Sequence, residues 1–151
     1  LDKIKKNLIF KSKILDESEN STISYKTNCK KLVTKKGFIE VADNFNLSVH
    51  FFLGTPFLEA LMKNRPTVVV FQKNLHMQFD DQFNKFISLF YKNKIFFSTS
   101  QEASDFLNKN YLNLDKWWNS KKIQKIINNF CKKYCKNLDK ESNLFYQNFL
   151  K

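Results

Sequence analysis

Glycine is almost missing from this sequence: Gly37 and Gly54 are the only two in 151 residues. A G-x-G-x-x-G fingerprint, a Walker loop and a G-x-S-x-G elbow each need at least two close glycines, so all three are excluded. Two histidines and three cysteines leave little material for a zinc cluster. The cysteines, Cys29, Cys131 and Cys135, form no C-x-x-C pair and read as buried reduced thiols of a cytoplasmic protein. Arginine is represented by Arg65 alone among 26 basic residues. Guanidinium is the planar fork that reads guanine and grips phosphate, so readout of bases is poorly equipped. No run of 18 apolar residues occurs, and no membrane span is predicted. The opening Leu-Asp-Lys has neither Met nor the apolar stretch of a signal peptide, and the chain is expected to be a piece of a longer protein.

What is abundant is lysine and phenylalanine. The formal charge is +12, and 17 phenylalanines provide ample apolar volume for a single domain's core. The lysines are scattered, with small clusters at Lys3/Lys5/Lys6, Lys121/Lys122/Lys125 and Lys132/Lys133/Lys136. Lys, Asn, Phe and Ile share A/T-rich codons, so genomic base composition accounts for much of the excess. Solvated helix faces are the simplest reading of the clusters, and a patch for anionic surfaces is the alternative.

Apolar spacing divides the chain. Residues 1–15 suggest a short helix, with Ile4, Leu8 and Ile9 on one face, and the polar stretch 16–28 suggests a linker. Residues 38–42 read as a short strand. The run 47–53 reads as a strand covered on both faces, ended by Gly54 and followed by a helix over 56–64. Residues 67–71, Thr-Val-Val-Val-Phe, are the most β-branched run and a buried strand. Phe79, Phe83, Phe86 and Phe90 recur at helical spacing. Residues 94–98 read as a third core strand, and Ser100 as the cap of another helix. Ile123, Ile126, Ile127, Phe130 and Tyr134 make a further helical stripe, and a last helix is predicted over 139–150. Strands alternating with helices predict an α/β fold, a Rossmann-like parallel sheet with flanking helices and extra carboxy-terminal helices.

In such sheets ligands bind beyond the carboxyl ends of the strands. The junction of Gly54, Thr55 and Pro56 lies there. Gly54 allows a tight turn and close approach, Thr55 is a natural N-cap, and Pro56 suits the first helical position. The free amides of that turn and the positive end of the helix dipole suit a phosphate without any P-loop. Glu59 lies one place beyond a capping-box position, the lone charge among Phe57, Leu58, Ala60, Leu61 and Met62. Its carboxylate could accept hydrogen bonds from sugar hydroxyls, or merely complement the dipole. Other candidates read as structural: His50 as a hydrogen-bonded core histidine, Trp117-Trp118 as a packing anchor, Asp80-Asp81 as a solvated helix start. No metal site is expected.

Residues 55–61 with 64–71, Thr-Pro-Phe-Leu-Glu-Ala-Leu and Asn-Arg-Pro-Thr-Val-Val-Val-Phe, resemble the T-x-x-L-E-A-L-x-x-N-x-P-T-I/V block of a transferase family encoded in O-antigen and capsule loci. Trp117-Trp118-Asn119-Ser120 is similar to that family's W-W-N-S segment, and Phe130-Cys131 with Tyr134 to its F-C-x-x-Y/F ending. The resemblance covers roughly residues 38–150. That family is similar to the carboxy-terminal, donor-binding half of GT-B glycosyltransferases. By this resemblance Gly54, Thr55 and Pro56 would face a nucleotide-sugar's diphosphate and Glu59 its ribose. Residues 73–80 line up with a stretch like N-P-N-H-W-E-L-R, placing His76 at its His; Met77 stands where Trp is usual and Asp80 where Arg is usual.

The expectation is therefore two segments: 1–36, a partial helix and polar linker from a missing upstream region, and 37–151, the nucleotide-sugar-binding domain. The function expected is the donor-binding part of a GT-B-like glycosyltransferase in surface polysaccharide biosynthesis. Its implied partners are a nucleotide-sugar, a saccharide or lipid-linked saccharide acceptor, the missing amino-terminal domain and the inner face of the membrane; no cofactor is required. A non-enzymatic basic module binding nucleic acid or an anionic membrane is the competing expectation, and an epimerase of GT-B shape a third. The sequence points to no catalytic base.

Overall fold

Thr67–Val70, the most β-branched run, is the middle strand of a three-stranded parallel sheet. In chain order the strands are β1 (Ile9–Ser12), β2 (Lys30–Val33), β3 (Ser48–His50), β4 (Thr67–Val70) and β5 (Phe96–Phe97). The helices are α1 (Phe38–Val41), α2 (Thr55–Met62), α3 (Asp81–Lys92), α4 (Ser100–Asn110), α5 (Leu114–Trp118) and α6 (Lys121–Tyr134). This computed structural model describes residues 9–12, 30–33, 37–71 and 79–135. β1 and β2 pair in parallel, Ile9 opposite Lys30. The larger sheet runs β3-β4-β5, with Val49 opposite Val68 and Val69 opposite Phe96.

Parallel neighbours cannot be joined by a hairpin, and α2 and α3 are the crossovers. Successive strand residues point to opposite faces, and both faces are apolar. Val69, Phe71 and Phe96 pack into one cluster with Phe57, Phe90 and Phe130 of α2, α3 and α6. Val68 and Phe97 pack on the other side with Ala103 and Leu107 of α4. Helices cover both faces, which is the α/β Rossmann-like arrangement that the alternation predicts. Phe57 sits edge-on to Phe90 (6.1 Å) and Phe96 (5.7 Å), and Phe130 lies 5.1 Å from Phe90 and 5.3 Å from Phe86.

Two helices end without glycine in the position that usually takes it. Asn64 and Lys94 hold φ of 50° and 62°, immediately after the C-caps of α2 and α3. After α2, the Arg65 amide donates to the Ala60 carbonyl and the Asn64 amide to Leu61, both at 2.9 Å. Ile95 and Lys94 repeat that pattern onto Phe90 and Tyr91. Both are Schellman closures, and Asn is the non-glycine residue that tolerates the left-handed region best. Asn64 is then pinned from afar. Trp118 Nε1 donates to its carbonyl and to its Oδ1, both at 2.9 Å, while Gln124 Nε2 donates to the same Oδ1 at 3.1 Å.

Local expectations fail in several places. Within 1–15, Ile9–Ser12 is a strand rather than part of a helix, its partner β2 lying beyond the reach of local spacing. Residues 38–42 contain the one-turn helix α1 and enter a 3-10 turn, Ala42–Asn44, instead of forming a strand. The Glu40 carboxylate accepts the Gly37 amide at 2.6 Å, a local hydrogen bond that closes the first turn of this helix. The strand read over 47–53 shrinks to β3, whose Val49 is 41% exposed, so it is not covered on both faces. Thr99, not Ser100, caps α4, its side chain accepting the Glu102 amide at 3.2 Å. The predicted linker over 16–28, Cys29 and the helix over 139–150 lie outside the described residues.

Candidate functional site

The carboxyl end of β3 bends through Phe51, Phe52 and Leu53 into α2. Gly54, not Thr55, is the N-cap of α2, and Thr55 is its first residue. Gly54 has φ −152° and ψ −178°, extended backbone open to any residue, so no tight turn demands glycine here. What glycine provides is clearance. A Cβ at Gly54 would stand 2.8 Å from Cε2 of the Phe52 ring.

The first-turn amides can be accounted for one by one. Pro56 has none, and the Phe57 amide donates to the Gly54 carbonyl at 3.0 Å. The amides of Gly54 and Thr55 have no acceptor among the described residues. They lie at the positive end of an eight-residue helix. α2 buries Phe57, Leu58, Ala60 and Leu61, which leaves Thr55 and Glu59 on its outer side, one turn apart. Glu59 is half-buried and forms no ion pair or side-chain hydrogen bond among the described residues. Pro56 is half-buried beside them. His76 lies outside the described residues.

His50 ends β3 on the inner side. Its Nε2 is 3.1 Å from Ser48 Oγ, which is 3.0 Å from Thr67 Oγ1, and the Thr67 hydroxyl donates to the Arg65 carbonyl at 2.7 Å. A carbonyl only accepts, so the Thr67 proton is committed to it. Ser48 must then donate to Thr67, and His50 must donate its Nε2–H to Ser48. Burial between the edges of Phe38 and Phe57 pushes the imidazole pKa down to about 4, because the interior penalises the charged form. His50 is a neutral core histidine, as its place in an apolar strand implies.

The lone arginine is used structurally. Asp43 pairs with Lys63 Nζ at 2.9 Å and with Arg65 Nη2, tying the turn after α1 to the end of α2. The Lys63 and then the Arg65 hydrogen bonds hold the Asp43 carboxyl below its usual pKa. Asp80 caps α3 by accepting the Phe83 amide at 2.8 Å. Cys131 and Cys135 are free thiols, and the hydrogen bond to Cys131 together with burial pushes Cys135 up. No group of three His, Cys, Asp or Glu converges as a metal site among the described residues. No helix among them is long and apolar enough to cross a membrane.

Sequence reasoning missed two aromatic rings. Phe51 and Phe52 are 63% and 65% exposed at the mouth of the elbow, although the apolar run predicts burial. No signal in the sequence marks them, because the apolar run places them inside the strand and only the pairing shows that β3 ends at His50. Of the motif residues, Asn64, Thr67, Trp118 and Phe130 serve the scaffold. Gly54, Thr55 and Pro56 form the amino-terminal end of α2, and Glu59 follows one turn later on the outer side.

Fold and elbow together define an α/β protein of Rossmann-like type, with a helix amino terminus at the carboxyl edge of its parallel sheet. The chain belongs to the LIC12162 family of transferases, whose family model matches residues 2–150. It is a transferase-family protein. No curated protein and no solved structure matches it.

Proposed function

We propose that this transferase binds a nucleotide-sugar donor at the β3–α2 elbow. The chain would be the donor-binding part of a GT-B-like glycosyltransferase in surface polysaccharide assembly, with a saccharide or lipid-linked saccharide as acceptor. One observation carries the proposal: the Gly54 and Thr55 amides and, one turn further on, the Glu59 carboxylate have no partner among the described residues, at the edge where parallel α/β sheets take their ligands. The amides and dipole suit the diphosphate, and Glu59, as an acceptor, suits the ribose hydroxyls. His76 is assigned to the same donor site through the motif alone.

In transfer, the bond between the anomeric carbon and the phosphate oxygen breaks, and its electron pair stays on the departing nucleoside diphosphate. Negative charge grows on the phosphate side. Fixed amides aimed at that oxygen stabilise the transition state more than the ground state, which is what lowers a barrier. The acceptor hydroxyl attacks the anomeric carbon and loses its proton to a base outside the elbow.

The test is a melting-temperature screen of the chain with uridine, guanosine, cytidine and thymidine diphosphates. At least one should raise the melting temperature. Glu59→Ala should remove most of that rise, and so should Thr55→Pro, which deletes one amide at a helical position that accepts proline. No shift with any nucleotide, or shifts that both variants keep, would overturn the donor site.

A further inference from the structure

Helix α6 presents lysine to solvent, and the nearest described carboxylate, Asp80, acts only at its carboxy-terminal end, on Tyr134. Its exposed face consists of Lys121, Lys122, Lys125, Lys132 and Lys133 with two asparagines, and no Asp or Glu occurs from 121 to 134. None of these five lysines forms an ion pair with a described residue; the described ion pairs use Lys63 and Arg65. Lys133 donates only to the neutral side-chain carbonyl of Gln82. The opposite face, Ile123, Ile126, Ile127 and Phe130, is committed to the core, so α6 cannot roll over to hide its charge or to bury an apolar face elsewhere. The result is a patch of five ammonium groups within an arc of about 120° of the helix surface, spread over about 18 Å at 1.5 Å per helical residue.

We propose that the outer face of α6 docks this protein on an anionic phospholipid surface, with lipid phosphates as the ligands of the lysine patch. Lysine is a compact point charge suited to many diffusing headgroups and lacks the fork that selects a base. The face carries no arginine, and the one aromatic ring beside it, Tyr134, is half-buried and lies under the Lys133 ammonium at 5.1 Å, which disfavours base stacking and single-stranded nucleic acid. The five lysines share one side of a helix fixed by its core face, so that side can lie against a plane. Attachment is electrostatic and shallow, because the apolar side of the helix stays in the core, and it weakens as salt screens the charges. This surface is independent of the donor site, and its test involves no nucleotide.

The experiment is co-sedimentation of the 151-residue chain with mixed phosphatidylcholine–phosphatidylglycerol vesicles, with pure phosphatidylcholine as reference, at low and high salt. Binding is expected only to the anionic vesicles and only at low salt. Replacing Lys121, Lys122, Lys125 and Lys132 together by Gln should weaken it at least about tenfold. Replacing Lys85, Lys92, Lys94 and Lys109 by Gln removes the same charge elsewhere and should leave it within about twofold. The charge reversal Lys125→Glu, a single exposed substitution, should weaken it in the same direction. Equal loss in the two fourfold variants would mean diffuse net charge and overturn the proposal. So would binding to uncharged vesicles, or tighter binding to a labelled oligonucleotide that the α6 variant abolishes.

Discussion

His50 shows how one side chain links burial to pH. Its pKa in the folded chain is about 4, below the ordinary 6.5, so between these values the unfolded chain binds the additional proton. Stability from this group is complete above pH 6.5 and is lost as pH falls towards 4, on the order of 3 kcal/mol across the window. Urea midpoints measured between pH 7 and pH 5 should fall with pH, and His50→Gln should flatten that slope. A slope unchanged in the variant would show that other groups set it. The histidine's structural role was legible from its place in an apolar strand. The relay through Ser48 and Thr67 was not, since Thr67 joins it only when β4 aligns beside β3.

Helix ends are where local chemistry speaks most clearly, and they also separate stability from binding in α2. Asp80 caps α3 through the Phe83 amide, so Asp80→Ala should cost about 1 kcal/mol. Thr55 is the first residue of α2 and makes no capping bond, so Thr55→Ala should change stability by no more than about 0.5 kcal/mol. Paired denaturation curves check the contrast; an equal loss in both would place Thr55 back at the cap. The elbow was legible as Gly-Thr-Pro before an apolar helix. Its details were not, because backbone dihedrals and the Phe52 ring decide which residue caps and why glycine stands there. A φ of −152° is no demand for glycine, whereas a Cβ here would meet the Phe52 ring edge at 2.8 Å and push that exposed ring aside.

The molecule as a whole is held by aromatic contacts between elements distant in sequence. Phe130 is fully buried and touches rings from α2 and α3, so it joins α6 to both crossovers. Phe130→Ala should destabilise the chain by about 3–5 kcal/mol, the range for losing a large core ring. A melting temperature close to the parent's would show that α6 is not part of the cooperative unit. Trp118 acts similarly, reaching back 54 residues to hold Asn64. Its neighbour Trp117 reaches the Asn93 carbonyl instead, so each Trp of the pair secures the turn at the end of a crossover helix.

Residue order alone settled the alternation of strand and helix from β3 onwards, the placement of β4, α3 and α6, and the exclusion of glycine-rich phosphate loops. These follow from period and backbone propensity, which act over a few neighbouring residues. Packing decided the remainder: that Phe51 and Phe52 face water, that Asn64 answers to Trp118, that the sole arginine pairs with Asp43, and that the Gly54 and Thr55 amides find no acceptor among the described residues. Whether a side chain is buried or an amide satisfied depends on which distant element comes to rest against it, and that is a property of three-dimensional packing.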